Sequence, residues 1–90
     1  MLSKQVKIVG KVQGVFFRKS ATKVAEALKL FGWIKNEKDG SVLALVQGNS
    51  FEINEFIEWC NKGPKGAEVY SVNCIQTNNA EVFTSFEILQ

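Results

Sequence analysis

The sequence contains no histidine, and among its 90 residues it has only one proline, one aspartate, one arginine and two cysteines. Without histidine, the chain can build neither a histidine-based catalytic triad nor a histidine metal site. The two cysteines, Cys60 and Cys74, are too few for a structural zinc site. Any catalysis must therefore depend mainly on arginine, asparagine, lysine, glutamate, backbone amides and water.

Long hydrophobic runs are also absent. No apolar stretch approaches the roughly 20 residues of a membrane-spanning helix, and the N-terminus lacks the apolar centre of a signal peptide. We therefore expect a cytoplasmic protein without membrane contact. The 11 basic and 9 acidic residues give a net charge of +2, which is too mild for a nucleic-acid footprint. The length predicts a single domain, residues 1–90, with a monomer as the default state.

Hydrophobic periodicity predicts alternating element types, with strands at a period of two and helices at a spacing of three and four. The predicted elements are a strand at about 5–12, a helix at 19–30, strands at 33–38 and 41–47, a helix between Asn49 and Gly63, and strands at 69–76 and 82–89 that turn at Asn78-Asn79. Asp39-Gly40 between the second and third strands is typical of a two-residue type I′ hairpin turn.

Laying both helices on one face of a single sheet would bury both helical stripes. The element order therefore predicts an α+β, ferredoxin-like sandwich of the βαββαβ type, with a mostly antiparallel sheet and a short extra C-terminal strand. Strands one and two then run parallel with strand three between them, so their C-terminal ends share one edge. Leu43 and Leu45 are expected on the other, partly open face.

The segment from Gln13 to Arg18 lies between the first strand and the first helix. Free N–H groups at a helix start attract anions, and Gly14 would let the backbone turn its amides inward. Arg18, the single arginine, adds a planar cation that can hold two phosphate oxygens. An ordinary turn beside a solvated arginine explains the same residues, so the loop alone leaves both interpretations open. Neither a P-loop nor a dinucleotide motif is present.

Asn36 is the second candidate residue, because the end of strand two should approach this loop. Its side-chain amide offers two donors and an acceptor, which suits the positioning of a water molecule against a phosphoryl group. An asparagine associated with the following turn is the competing interpretation, and spacing alone favours it.

Two segments together resemble the signature motifs of acylphosphatases. They are residues 10–18, Gly-Lys-Val-Gln-Gly-Val-Phe-Phe-Arg, and residues 32–42, which contain Gly-Trp-Ile-Lys-Asn and Asp-Gly. Gly63-Pro64 and the ending Phe86-Glu87-Ile88 also resemble that family, so the likeness covers nearly the whole chain. The resemblance implies a ferredoxin-like sandwich that hydrolyses the carboxyl–phosphate bond of small acyl phosphates.

The resemblance also implies roles for individual residues. Arg18 would hold the substrate phosphate, and Asn36 would orient the attacking water. The phosphate would also contact the backbone amides of a loop formed by Gln13, Gly14, Val15, Phe16, Phe17 and Arg18. We expect one of the two phenylalanines to anchor this loop from beneath and the other to face the acyl group.

An acyl phosphate releases a carboxylate, whose acid has a pKa of about 4, so no general acid is needed. We therefore expect direct attack by water without metal, cofactor or phosphoenzyme, and inorganic phosphate as product and competitive ligand. One departure from the family is Leu28-Lys29-Leu30, where the middle residue is usually glycine. A left-handed Lys29 would cost about 1–2 kcal/mol.

Two other functions remain open from the sequence. An anion-binding module of the same fold would bind without turnover. An RNA-binding domain would need exposed aromatic residues on the central strands, where Leu43 and Leu45 are poor substitutes. Cys60 and Cys74 are expected in the core, with a disulfide as the minority interpretation for a cytosolic chain.

Overall fold

The computed structural model describes residues 1–78 and 81–89. Its elements are β1 (Leu2–Lys11), α1 (Phe17–Ala27), β2 (Phe31–Asn36), β3 (Val42–Gly48), α2 (Ser50–Lys62), β4 (Glu68–Gln76) and β5 (Phe86–Ile88). The strands form one sheet in the order β4-β1-β3-β2-β5. β2 pairs with β5 in parallel, and the other neighbouring pairs are antiparallel. The predicted ferredoxin-like α+β fold is confirmed.

Both helices pack on one face of the sheet. Alternate residues of each strand point to this face, because side chains alternate along a strand. The buried cluster there combines strand residues with the apolar stripes of both helices. It includes Val6, Ile8, Ile34, Val42, Ala44 and Val46 from the strands, and Ala21, Ala25, Ile53, Phe56 and Cys60 from the helices. This core holds β1 and β2 parallel on either side of β3, so their C-terminal ends lie at one edge of the sheet, as predicted.

The end of α1 differs from the prediction, because the helix stops at Ala27 and β2 already begins at Phe31. A Schellman motif ends the helix: the N–H of Lys29 donates to the carbonyl of Glu26 (3.0 Å), and the N–H of Leu30 donates to that of Ala25 (2.8 Å). Lys29 has φ 57°, so this residue adopts the left-handed conformation whose cost was considered from the sequence. The buried Leu30 anchors the motif against the core.

The turn between β2 and β3 differs from the predicted type I′ turn. Gly40 has φ 93°, whereas Asp39 is not among the non-glycine residues of positive φ, so the turn is not type I′. The N–H of Gly40 donates to the carbonyl of Glu37 (3.2 Å), and the N–H of Glu37 donates to that of Ser41 (2.8 Å). The Asp39 carboxylate accepts hydrogen bonds from the backbone N–H and the hydroxyl of Ser41, at 2.9 and 2.6 Å. These contacts fix Asp39 in a turn with one left-handed glycine.

The last strand is shorter than predicted. β5 spans three residues instead of 82–89. The preceding segment instead binds the buried side chain of Gln47, which donates to the carbonyl of Glu81 (2.6 Å) and accepts from the N–H of Phe83 (3.0 Å). Of the predicted turn at Asn78-Asn79, the second residue lies outside the described residues.

The two cysteines have different surroundings. Cys60 is buried as predicted, and burial raises the pKa of its thiol well above the ordinary value. The prediction for Cys74 is wrong, because this residue is exposed and unbridged on the edge strand β4. The core contacts of that strand involve Val69 and Val72 and do not extend to Cys74. Leu45 lies on the sheet face opposite the helices but is itself buried.

Candidate active site

The loop between β1 and α1 contains two left-handed residues. Gly14 has φ 79° and Phe16 has φ 60°. Left-handed residues within a loop turn neighbouring N–H groups toward a common side, as in an anion-binding nest. Phe16 is the N-cap of α1 and makes no side-chain capping bond, and the first turn carries no acidic residue. The positive end of the helix dipole therefore faces the loop without a protein anion in that turn.

The two adjacent phenylalanines of the loop have opposite environments. Phe17 is 1% exposed, and its ring packs on Trp59 of α2 with a centroid distance of 5.3 Å. Phe16 is 77% exposed. Phe17 therefore anchors the loop from beneath, whereas Phe16 leaves an aromatic ring open to the solvent.

A surface cavity of about 300 Å³ opens at this loop. It is lined by Val12, Gly14, Phe16, Phe17, Arg18, Lys19, Asn36 and Ile88. Both predicted catalytic side chains, Arg18 and Asn36, thus lie on one cavity. Two of the predicted loop residues, Gln13 and Val15, do not line it. Val15 packs against the core instead.

Arg18 lies in the first turn of α1 and is half-buried. Its Nη1 donates to the carbonyl of Leu89 at 3.5 Å, the outer limit for a hydrogen bond. Within residues 1–78 and 81–89, its guanidinium makes no ion pair with a carboxylate. Most of its hydrogen-bonding capacity is therefore available for an anionic ligand.

Asn36 is the last residue of β2, where it pairs with Val42 of β3. Its side-chain Oδ1 is buried and has no hydrogen-bond partner among the described residues. A buried acceptor left unpaired costs about 1–3 kcal/mol, so such atoms generally have a partner. Asn36 also lines the cavity, where its side-chain amide can hydrogen-bond a ligand.

The Gln13 side chain contacts the hairpin that follows Asn36. Its Nε2 donates to the carbonyl of Glu37 at 2.8 Å and to the carbonyl of Ser41 at 2.9 Å. The same hairpin is held by Asp39, which forms an ion pair with Lys7 at 3.0 Å. Hydrogen bonds from Ser41 and Lys7 keep the pKa of the Asp39 carboxyl well below its ordinary value. Asp39 is thus an ionised residue of the hairpin.

Sequence reasoning missed three lining residues, Val12, Lys19 and Ile88. Lys19 follows Arg18 directly in the first turn of α1, and this position could have indicated it. Ile88 reaches the cavity because β5 pairs in parallel with β2, opposite Ile34. This pairing joins distant segments, and periodicity within one strand does not reveal it.

No helix in the described part of the chain is long and apolar enough to cross a membrane. No group of three or more histidine, cysteine, aspartate or glutamate side chains is arranged there to hold a metal ion.

Comparisons with known proteins show the family of this chain. The family model described as Acylphosphatase matches residues 4–88. An acylphosphatase of Albidiferax ferrireducens is 53% identical over 66 residues, which cover 73% of this chain and 72% of that protein. An acylphosphatase of Acaryochloris marina is 42% identical over 83 residues, which cover 92% and 88%. The crystal structure of acylphosphatase from Bacillus subtilis matches with a TM-score of 0.96 and 31% identity, over 100% of both chains.

The chain therefore belongs to the acylphosphatase family, a family of enzymes that hydrolyse acyl phosphates. This membership confirms the resemblance indicated by the two sequence motifs. It also confirms the enzyme interpretation over a binding module without turnover and over an RNA-binding domain.

Proposed function

We propose that the cavity beside the β1–α1 loop hydrolyses the carboxyl–phosphate bond of small acyl phosphates to a carboxylate and inorganic phosphate. The observation that carries this proposal is the meeting of two polar side chains on one cavity. One is the Arg18 guanidinium, without an ion pair among the described residues, and the other is the Asn36 amide.

The phosphate group binds at the start of α1. Backbone amides of the loop residues that line the cavity, Gly14, Phe16, Phe17 and Arg18, surround its oxygens, and the Arg18 guanidinium binds two of them in a fork. The left-handed backbone at Gly14 and Phe16 supports this placement, because it turns N–H groups of the loop to one side. Fixed donors of this kind stabilise the charge that develops on the equatorial oxygens during phosphoryl transfer.

Asn36 orients the attacking water. The water hydrogen-bonds to the Asn36 side-chain amide, which lines the cavity and has two donors and an acceptor, and a lone pair of the water oxygen then faces phosphorus. The new O–P bond forms while the bond from phosphorus to the acyl oxygen breaks, and its electron pair leaves with the carboxylate. A phosphate oxygen takes the proton of the water. No protein acid is required, because the leaving carboxylate is the base of an acid with pKa about 4.

The acyl group lies against the apolar part of the cavity. Phe16 and Ile88 line the cavity and are 77% and 39% exposed, so both offer apolar surface to a ligand. Lys19 adds a cation to the same rim. Every residue of this mechanism comes from one chain, so a monomer suffices. The monomeric state and the cytoplasmic location stay predictions.

The proposal is tested by turnover of benzoyl phosphate in ¹⁸O-labelled water with a chelator present. Attack on phosphorus puts the label into phosphate, and attack on the carbonyl carbon would put it into benzoate. Phenyl phosphate serves as the matched poor substrate, because a phenolate leaving group has a pKa of about 10 and needs a proton donor. We expect labelled phosphate from benzoyl phosphate and negligible turnover of phenyl phosphate. Label in benzoate, or loss of all turnover on chelation, would contradict the proposed mechanism.

A further inference from the structure

The pairing of β1 with β3 ends before the phosphate loop begins. The last pair between these strands is Ile8 with Val42. β1 continues to Lys11 against β4 on its other side, after an irregularity at Val9/Gly10. The sheet hydrogen bonds between β1 and β3 therefore do not connect the loop after β1 with the hairpin after β2.

Gln13 spans this gap. Its Nε2 donates to two hairpin carbonyls, those of Glu37 (2.8 Å) and Ser41 (2.9 Å). Gln13 directly precedes Gly14, which lines the cavity from the loop side. Glu37 directly follows Asn36, which lines the cavity from the sheet side. One side-chain amide thus connects the two walls of the cavity, one residue away from each.

We propose that the Gln13 side chain is a positioning residue, which fixes the distance between the phosphate-binding loop and Asn36. This inference rests on the proposed function, in which the loop holds the phosphate and Asn36 holds the water. The rate of such an attack depends steeply on the separation and alignment of the reacting atoms. The hydrogen bonds of Gln13 to the hairpin therefore affect the chemical step through the position of Asn36.

The hairpin does not need Gln13 for its own closure. It has internal hydrogen bonds between Glu37 and Ser41 and between Gly40 and Glu37. Asp39 adds bonds to Ser41 and an ion pair with Lys7. Gln13 uses second lone pairs on carbonyls that already accept a bond within the hairpin, so its contribution is the connection to the loop.

The test compares Gln13→Met, which keeps the side-chain length and the backbone amide but removes the donor, with the wild type. Gln76→Met is the matched control, because Gln76 is exposed at the far end of β4. With benzoyl phosphate we expect Gln13→Met to lower kcat about tenfold, while KM and the Ki of inorganic phosphate change less than about twofold. A rise in KM and Ki at unchanged kcat would overturn the proposal, and so would a kcat loss equal to that of Gln76→Met.

A second measurement separates positioning from general destabilisation. In an Asn36→Ala background, Gln13→Met should lower kcat no further, because the Gln13 hydrogen bonds affect kcat only by positioning the Asn36 side chain. The same fold-loss in both backgrounds would overturn the proposal.

A third measurement distinguishes failure of the proposed function from failure of the Gln13 proposal. It follows the NMR chemical shifts of the backbone amides during titration with inorganic phosphate. In the wild type, phosphate should shift the Glu37 amide together with the loop amides. In Gln13→Met the shift should be confined to the loop. If the wild type binds phosphate without hydrolysing benzoyl phosphate, the hydrolysis proposal fails. The phosphate-induced shift of the Glu37 amide then still decides whether Gln13 connects the loop and the hairpin. An unchanged Glu37 shift in Gln13→Met would overturn the connection itself.

Discussion

Arg18 and Asn36 line the same cavity, although one lies in the first turn of α1 and the other at the end of β2. Their meeting follows from the sheet order. β1 and β2 run parallel on either side of β3, so the residues after β1 and at the end of β2 lie at one edge. The guanidinium of Arg18 and the side-chain amide of Asn36 are thus brought to one cavity by strand topology.

The geometry of Arg18 leads to the first prediction. Arg18→Lys keeps the positive charge but loses the planar fork, so it should lower kcat/KM for benzoyl phosphate at least about 100-fold. The Ki of inorganic phosphate should rise in the same variant. Lys23→Ala, an exposed position of α1 outside the cavity, is the control and should behave as the wild type. Full activity in Arg18→Lys would mean that charge alone suffices.

Substrate preference should depend on Phe16. Phe16→Ala removes the exposed ring but keeps the left-handed backbone strain, because alanine also carries a Cβ. We expect kcat/KM to fall about tenfold for benzoyl phosphate and less than about twofold for acetyl phosphate, since only the benzoyl group has a ring to pack. Phe51→Ala, which removes a 68% exposed phenylalanine from α2, is the control. Equal losses for both substrates would refute the role in acyl contact.

The stability of the fold should increase when the strain at Lys29 is removed. Lys29→Gly relieves a left-handed conformation and should raise the free energy of unfolding by about 1 kcal/mol, measured by urea denaturation. Lys23→Gly, in the middle of the exposed face of α1, should lower it by about 1 kcal/mol. Equal decreases in the free energy of unfolding of the two glycine variants would contradict the backbone strain at Lys29.

The hairpin ion pair should make stability depend on acid pH. Hydrogen bonds from Ser41 and Lys7 lower the pKa of Asp39 in the folded state, so its contribution is present above the unfolded carboxyl pKa of about 3.9. The contribution is lost as the pH falls below that value toward the lowered folded pKa. Asp39→Asn should therefore reduce the free energy of unfolding at pH 7 and make less difference at pH 3. The exposed position keeps the effect small, and a larger difference at pH 3 would contradict the assignment.

The sequence predicted the fold class and the meeting of Arg18 with Asn36, but it did not predict that Val12, Lys19 and Ile88 line the cavity. Two helical stripes had to be buried on one sheet, and the split βαβ order that does so predicts which strand ends meet. The left-handed Lys29 was indicated by the resemblance and not by periodicity, because it occupies a position where the family usually has glycine.

Features that depend on distant contacts were not predictable. The short β5 and the exposure of Cys74 depend on which segments cover them. The turn at Asp39 depends on a side-chain bond to Ser41 that overrides the preference of the dipeptide. The hydrogen bonds from the Gln13 side chain to the hairpin were not predictable either, because their acceptors lie 24 and 28 residues from Gln13 in the sequence.

The central claim is that Asn36 acts on the water and not on the phosphate. Its most direct test is Asn36→Ala beside Asn49→Ala, an exposed asparagine whose side chain makes no capping bond. For benzoyl phosphate, kcat should fall about 100-fold in Asn36→Ala while the Ki of inorganic phosphate stays within about twofold of the wild type. Full turnover in Asn36→Ala, or a parallel loss of phosphate affinity, would contradict the mechanism.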